Sequence, residues 1–351
     1  MNNSHIILDD IAFPLLRWYH SQARILPWRE NPQPYYVWIS EIMLQQTRVE
    51  AVKPYFDRFI TAIPTIESLA TIPESELLKL WEGLGYYNRA RNLQKAAQQI
   101  IDEYDGTLPA DFNQLLSLSG IGRYTAGAIA SIAYQIPVPA VDGNVLRVIA
   151  RLLASRADIM KEKTRRTIEE LLQKIIPSND AGNFNQALME LGAMICLPKG
   201  AAKCTVCPLK QLCLSFSENC ADQIPVKTPK KARRIETYTI LRLRFENKIA
   251  LQQRPAHGLL ANLWELPHLI GHLTPENLAL YLQEHKYKVK AIQALPPAKH
   301  IFTHIEWHMI GYEVHLEEIP HDALYQWASP QELVDVFAVP TAFKSYINES
   351  P

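Results

Sequence analysis

Leu116-Ser-Leu-Ser-Gly-Ile-Gly-Arg-Tyr-Thr-Ala-Gly-Ala128 decides how the first two thirds of this chain must be read. Gly120 and Gly122 lie between two stretches whose apolar residues recur at helical spacing. Glycine permits a tight turn and a close approach of backbone. The second helix then starts near Arg123, and the unbonded N–H groups of its first turn suit a phosphate. The pattern is that of a helix-hairpin-helix, which grips a DNA backbone without reading bases, through Gly120, Gly122 and Arg123. An ordinary turn between two helices is the plainer alternative.

Outward from the hairpin, helical spacing continues in both directions. It predicts helix in Val37–Ile60, Leu77–Ile101, Tyr124–Tyr134, Val145–Leu153 and Phe184–Cys196. Pro64, Pro73, Gly106, Pro109, Pro137 and Pro139 punctuate these runs. Strands have little place before Pro225. There the character changes: Pro-Val-Lys-Thr-Pro-Lys-Lys-Ala-Arg-Arg reads as a basic, proline-containing linker over 226–235. Beyond it, Thr237–Phe245 and Lys248–Gln253 alternate like strands around a Glu246-Asn247 turn. Val289–Ile292, His300–Ile310 and Tyr312–Leu316 read as further strands, and Pro275–Glu284 as a helix. The expected organisation is a mostly α region over 1–225, the linker, and an α+β domain over 236–351.

The chain has 351 residues, with 36 basic and 36 acidic side chains. Zero net charge argues against coating DNA by bulk charge, but leaves room for local basic faces. Lys199, Lys203 and Lys210 lie in a stretch without acids from Cys196 to Ser217, and five cations follow between Lys227 and Arg234. No apolar run approaches the ~18 residues of a membrane span. Met-Asn-Asn-Ser-His lacks a basic start and apolar stretch, so no secretory signal is expected. A reducing, cytoplasmic compartment follows, where thiols stay free to bind metal.

Four of the five cysteines, Cys196, Cys204, Cys207 and Cys213, fall within 18 residues. The compartment argues against disulfides. Zinc favours two close pairs of ligands, whereas this stretch has one close pair and two outlying singles. The uneven spacing suits one [4Fe–4S] cluster better, with zinc as the alternative. Such a loop, 196–213, would brace a short segment and let Lys199 and Lys203 reach phosphates. Cys220 lies outside the pattern and reads as a plain thiol.

Two carboxylates stand out. Glu41 lies between Ile39 and Ile42, where partial burial would raise its pKa and suit a general acid; the alternative is a helix-surface glutamate. Gln45 follows one turn later and can face the same cleft. Asp142 precedes an apolar helix, and an N-cap is its structural alternative.

These pieces together resemble the adenine DNA glycosylases of the endonuclease III-like superfamily. The resemblance rests on Leu26-Pro-Trp-Arg29, Ser40-Glu-Ile-Met-Leu-Gln-Gln-Thr47, Gly83-Leu-Gly-Tyr-Tyr87, Arg89-Ala-Arg-Asn-Leu93, Gly120-Ile-Gly-Arg-Tyr-Thr-Ala126, Val141-Asp-Gly-Asn-Val145 and Phe184-Asn-Gln-Ala-Leu-Met-Glu-Leu-Gly192. It implies an enzyme that flips adenine, mispaired with 8-oxoguanine or guanine, out of double-stranded DNA and hydrolyses its N-glycosidic bond. Glu41 matches the family's general acid and Asp142 the carboxylate that stabilises charge on the deoxyribose; Tyr124 and Asn144 match residues lining that site. Arg29 and Gln186 match positions contacting the extruded adenine, and Gln46 and Tyr86 match side chains that enter the base stack. Bifunctional relatives carry a lysine where this chain has Tyr124, so a monofunctional enzyme is expected; an endonuclease III-like glycosylase/lyase is the alternative. A monomer is expected.

The second domain resembles the family's nudix-like 8-oxoguanine recognition domain, in Gln253-Arg-Pro, Gly258-Leu and Leu263-Trp-Glu-Leu-Pro267. The nudix metal box Arg-Glu-x-x-Glu-Glu is absent after Gly271, implying recognition without pyrophosphate hydrolysis. Phe302-Thr303-His304 matches the family's Phe-Ser-His loop, with threonine for serine. His300, His304 and His308 would share one face of a single strand, the outer two ~26 Å apart, too far for one ion. Two departures stand against the family pattern. Seven residues, not six, separate Cys196 from Cys204, and Ser119 stands where proline is common.

Overall fold

A computed structural model describes residues 8–347, apart from 199, 201, 230–231 and 321–324. Two compact units emerge from the contacts. One comprises Met1–Thr71 and Arg91–Pro229, the other Ile72–Ala90 and Lys230–Pro351. Thus a short insert from within the helical sequence groups with the C-terminal part of the chain.

The first unit is helical. Its helices Ala12–Gln22, Gly143–Leu152, Glu162–Ile175 and Ala181–Met194 share one apolar core around Leu15, Val148, Ile149, Leu172, Phe184 and Leu188. The helices Pro34–Leu44 and Arg123–Tyr134 are buried nearly all round, as their uniformly apolar or small residues require. Close packing follows from glycine. A methyl at Gly127 would lie 2.5 Å from the carbonyl oxygen of Pro139, and one at Gly192 2.6 Å from Asn144 Cβ. Glycine at 192 therefore lets the helix Ala181–Met194 come against the turn that carries Asp142.

Two runs expected to be continuous helices are broken. Val37–Ile60 is two helices, Pro34–Leu44 and Val49–Ala62, and Leu77–Ile101 is two, Glu74–Leu80 and Asn88–Tyr104. Each break carries a non-glycine residue in the left-handed region: Gln46 at φ 62° and Tyr86 at φ 49°. That conformation is uncommon for such residues and marks positions held by their surroundings.

The second unit is built on a mixed sheet. Its strands are β1 (Arg234–Phe245), β2 (Lys248–Gln253), β3 (Trp264–Glu265), β4 (His268–Ile270), β5 (Val289–Ile301), β6 (Ile305–Leu316) and β7 (Gln326–Ala328). The order is β3-β2-β1-β6-β5, with β4 beside β1 and β7 beside β2; β1 and β6 run parallel and the other pairs antiparallel. β1 starts at Arg234, inside the stretch read as linker. The helix Pro275–Glu284 covers one face, packing Leu278 and Leu282 on Leu241, Leu243 and Val314. Phe343 and Tyr346 cover the other, against Ile240, Trp307 and Met309. Both faces of β1 and β6 are thus buried near their centres, and the charged pair Arg242 and Glu313 that lies there is joined at 2.9 Å.

The expected strand His300–Ile310 is corrected by this topology. It turns at Phe302–His304, so β5 and β6 form a hairpin. The three histidines therefore do not line one strand, and the separation inferred from a single strand does not apply. Lys299 pairs with His308, and His300 with Trp307. Directly paired residues share a face, so His300 and His308 point to opposite sides of the sheet.

Candidate active site

A cavity of about 490 Å³ opens in the helical unit, lined among others by Arg29, Glu41, Gln45, Gln46, Tyr124, Asp142, Asn144, Gln186 and Glu190. Seven of the side chains singled out in the sequence thus meet in one place: Arg29, Glu41, Gln46, Tyr124, Asp142, Asn144 and Gln186. The helix Pro34–Leu44 brings Glu41, the hairpin helix Arg123–Tyr134 brings Tyr124, and the turn before Gly143–Leu152 brings Asp142.

Glu41 is buried, and the Tyr124 hydroxyl donates to its Oε2. Burial pushes the Glu41 pKa up to about 7, with the Asp142 carboxylate adding to the rise; the Tyr124 hydrogen bond and the Arg29 charge oppose it. Asp142 is in fact the N-cap of Gly143–Leu152: Oδ1 accepts from Val145 N at 2.8 Å and Oδ2 from Asn144 Nδ2 at 2.8 Å. Burial raises its pKa too, a rise that both of these donors and the Arg147 charge reduce without cancelling. The two readings of Asp142, cap and functional carboxylate, are compatible, because capping fixes the carboxylate at the cavity wall.

The sequence reading missed a third carboxylate. Glu190 accepts from Arg24 Nε at 2.7 Å, Arg24 Nη2 at 2.8 Å and Arg29 Nη2 at 2.9 Å. Burial alone would raise its pKa, yet the two arginines hold it at about 2. An acid inside the apolar stretch Ala-Leu-Met-Glu-Leu-Gly was the available signal, since a buried acid there requires a cation. Arg147, also missed, donates to Asn144 Oδ1 at 2.9 Å and to the carbonyls of Gly192 and Cys196 at 2.8 Å.

Other selected residues lie elsewhere. Gly120 sits at φ 73°, and a methyl there would lie 2.5 Å from Asn92 Cβ, whereas Gly122 is the N-cap of Arg123–Tyr134 with open space beside it. Arg123 pairs with Glu169 at 2.9 Å and lies over the Phe112 ring. In the second unit, Tyr86 Oη lies 3.2 Å from Thr303 Oγ1. Phe302 packs edge-on against His300 and Trp307, and the Thr303 and His304 side chains are exposed. Lys203 is exposed on the cysteine loop, and Lys199 lies outside the described residues.

Cys196, Cys204, Cys207 and Cys213 are free, half-buried thiols. Burial pushes Cys207 up to about 12, and the thiolates of Cys196, Cys213 and Cys204 are near enough to push it further. Four thiols on one half-buried loop are a donor set that an iron–sulfur group takes up as thiolates, and they fit such a group. Among the described residues, no three His, Cys, Asp or Glu side chains are placed to hold one metal ion; a four-iron cube sets its thiolates farther apart than a single ion does. Cys220 is buried, outside this group. No helix among the described residues is long and apolar enough to cross a membrane.

Comparison with known proteins agrees with this layout. Residues 39–174 match the HhH-GPD superfamily of base excision DNA repair proteins, and residues 238–349 match the NUDIX domain. The adenine DNA glycosylase of Buchnera aphidicola subsp. Baizongia pistaciae is 38% identical, over 83% of this chain and 82% of its own. That of Homo sapiens is 34% identical, over 94% and 72%. Among solved structures, a thermostable thymine-DNA glycosylase is 29% identical with a TM-score of 0.56, covering 61% of this chain and 98% of its own. An endonuclease III trapped in a covalent intermediate with DNA is 28% identical with a TM-score of 0.52, covering 60% and 98%.

Proposed function

The chain belongs to the adenine DNA glycosylases of the HhH-GPD base excision repair superfamily, and from that premise we propose that Glu41 and Asp142 hydrolyse the N-glycosidic bond of an adenine extruded from a pair with 8-oxoguanine or guanine. The adenine occupies the cavity, where Arg29 and Gln186 contact it. Glu41, protonated near neutral pH, gives its proton to a ring nitrogen, so that the base leaves without building up negative charge. Asp142, held in place by its two donors, faces the sugar, where its carboxylate stabilises the positive charge that develops. Water then adds at the sugar carbon and loses a proton to solvent, which completes the sugar product.

The observation that carries this reading is the contrast between two carboxylates on one cavity. Glu41, with Tyr124 its one side-chain donor among the described residues, is pushed by burial up to about 7, while Asp142 accepts from both Val145 and Asn144. The carboxylate with fewer donors is suited to carry the proton, and the one held by more donors is suited to act as the anion. Tyr124 has no amine to form a Schiff base with the sugar, which supports a glycosylase without strand cleavage. In the second unit, Tyr86 and Thr303 are the groups suited to reading the opposite base: a ring that replaces a lost stacking partner and a hydroxyl beside it. Cys196, Cys204, Cys207 and Cys213 would hold a [4Fe–4S] cluster that braces the loop bearing Lys203 and leaves the proton transfers to the carboxylates.

Single-turnover release of adenine from an adenine·8-oxoguanine duplex, with and without alkali, tests the proposal. Glu41→Gln should slow release by 10²-fold or more, the usual scale of general acid catalysis. Undiminished release would refute it. Strand breaks without alkali would instead favour the lyase.

A further inference from the structure

We propose that Arg165 is a phosphate-binding residue, gripping the DNA backbone beside the extruded nucleotide. The proposal rests on the reading of Asp142 as the residue that faces the reacting sugar.

Arg165 lines the same cavity as Asp142, Gly143 and Asn144. It comes from the first turns of Glu162–Ile175, on a stretch, Lys161-Glu-Lys-Thr-Arg-Arg166, with four cations and one acid. The acid is taken: Glu162 pairs with Arg166 at 3.2 Å. Arg165 Nη1 donates to the carbonyl of Val141 at 2.8 Å. No other side-chain hydrogen bond or ion pair of Arg165 is made among the described residues. One end of a planar guanidinium is thus pinned one residue before Asp142, and its remaining donors stay available at the half-buried mouth.

The chemistry of the cavity selects the ligand. A cation aimed at the sugar would oppose the positive charge that Asp142 is placed to stabilise. Arg24 and Arg29 both pair with Glu190, and Arg29 is besides assigned to the adenine, so neither is the backbone contact. What lies within reach of a group anchored beside the sugar-facing carboxylate is the phosphodiester flanking that sugar. A guanidinium meets two phosphate oxygens with parallel N–H donors. The energy of that contact would hold the nucleotide outside the stack, which is where extrusion needs support.

Equilibrium binding of the full chain to a duplex containing a non-hydrolysable 2′-fluoroadenosine opposite 8-oxoguanine, measured across salt, provides the test. Arg165→Gln should weaken binding on the order of 10-fold and reduce the salt slope by about one phosphate contact, while Arg165→Lys keeps the slope. Neutral methylphosphonates at the linkages flanking the adenosine should weaken binding by the wild type and leave Arg165→Gln nearly unaffected. An unchanged slope in Arg165→Gln, or equal methylphosphonate losses in both proteins, would overturn the proposal and leave Arg165 as a clamp on the Val141 carbonyl. Failure of the Asp142 reading would register separately, as full adenine release by Asp142→Asn.

Discussion

At residue scale the site turns on one proton. If Glu41 is the general acid as proposed, its acid form is the working form, so the rate at saturating enzyme should be flat below pH ~7 and fall about tenfold per pH unit above it. Tyr124 sharpens this expectation. Its hydroxyl stabilises the ionised carboxylate and so lowers the Glu41 pKa. Removing it in Tyr124→Phe should move the alkaline limb of the single-turnover profile to higher pH; a limb that stays put or moves down would remove Tyr124 from that role. The raised pKa also has a thermodynamic sign. Folded Glu41 holds its proton to about pH 7, whereas unfolded Glu41 loses it near pH 4.5. Stability is therefore lost as pH rises between those values, by up to ~3 kcal/mol. Glu41→Gln should be the more stable protein at pH 8, by an amount that vanishes below pH 4.5 in thermal melts.

At the scale of elements, the hairpin separates its two glycines. Gly120 is required twice over, by φ 73° and by the Asn92 side chain, while Gly122 has φ −88° and empty space around it. Gly120→Ala should cost about 1–3 kcal/mol and loosen binding to any duplex; Gly122→Ala should fold normally. Denaturant melts with a non-specific duplex titration would distinguish them. The motif was readable because a turn between helices needs glycine locally. The break at Gln45–Arg48 was not readable, because helical apolar spacing persists across it, whereas Gly83 and Gly85 mark the one at Trp81–Tyr87 in the sequence itself. Gln46 and Tyr86 take left-handed backbone for reasons that lie in their surroundings. The β5–β6 turn was missed for a similar reason: Phe302-Thr303-His304 has neither glycine nor proline to announce it.

For the molecule, the contacts regroup the chain. Ile72–Ala90 belongs with the sheet-bearing unit, and Lys79 shows how: its ammonium donates to the carbonyls of Leu333 at 3.0 Å and Phe337 at 2.9 Å. Asn262 Nδ2 adds a bond to Glu74 at 3.0 Å. Tyr86 therefore reaches Thr303 within one compact unit. Thr303→Ala should lower the preference for adenine opposite 8-oxoguanine over adenine opposite guanine several-fold, with little change in the saturated rate on either. Paired substrates in one single-turnover assay would measure it, and an unchanged ratio would count against a reading role for Thr303.

By itself the sequence determined the helical and α+β halves, the hairpin and the cysteine loop, because each is written in local spacing or in a short stretch of residue types, while Glu41, Tyr124 and Asp142 were singled out as a set through the resemblance of their motifs to those of the adenine DNA glycosylases. Only the tertiary structure decided that burial would set Glu41 near neutrality, that Asp142 would be capped into place, and that Glu190 would be bound between two arginines. It also assigned Ile72–Ala90 to the second unit and left Arg165 with donors to spare. Those outcomes depend on desolvation and on partners far apart in the chain, such as Glu190 and Arg24, and no local pattern encodes them.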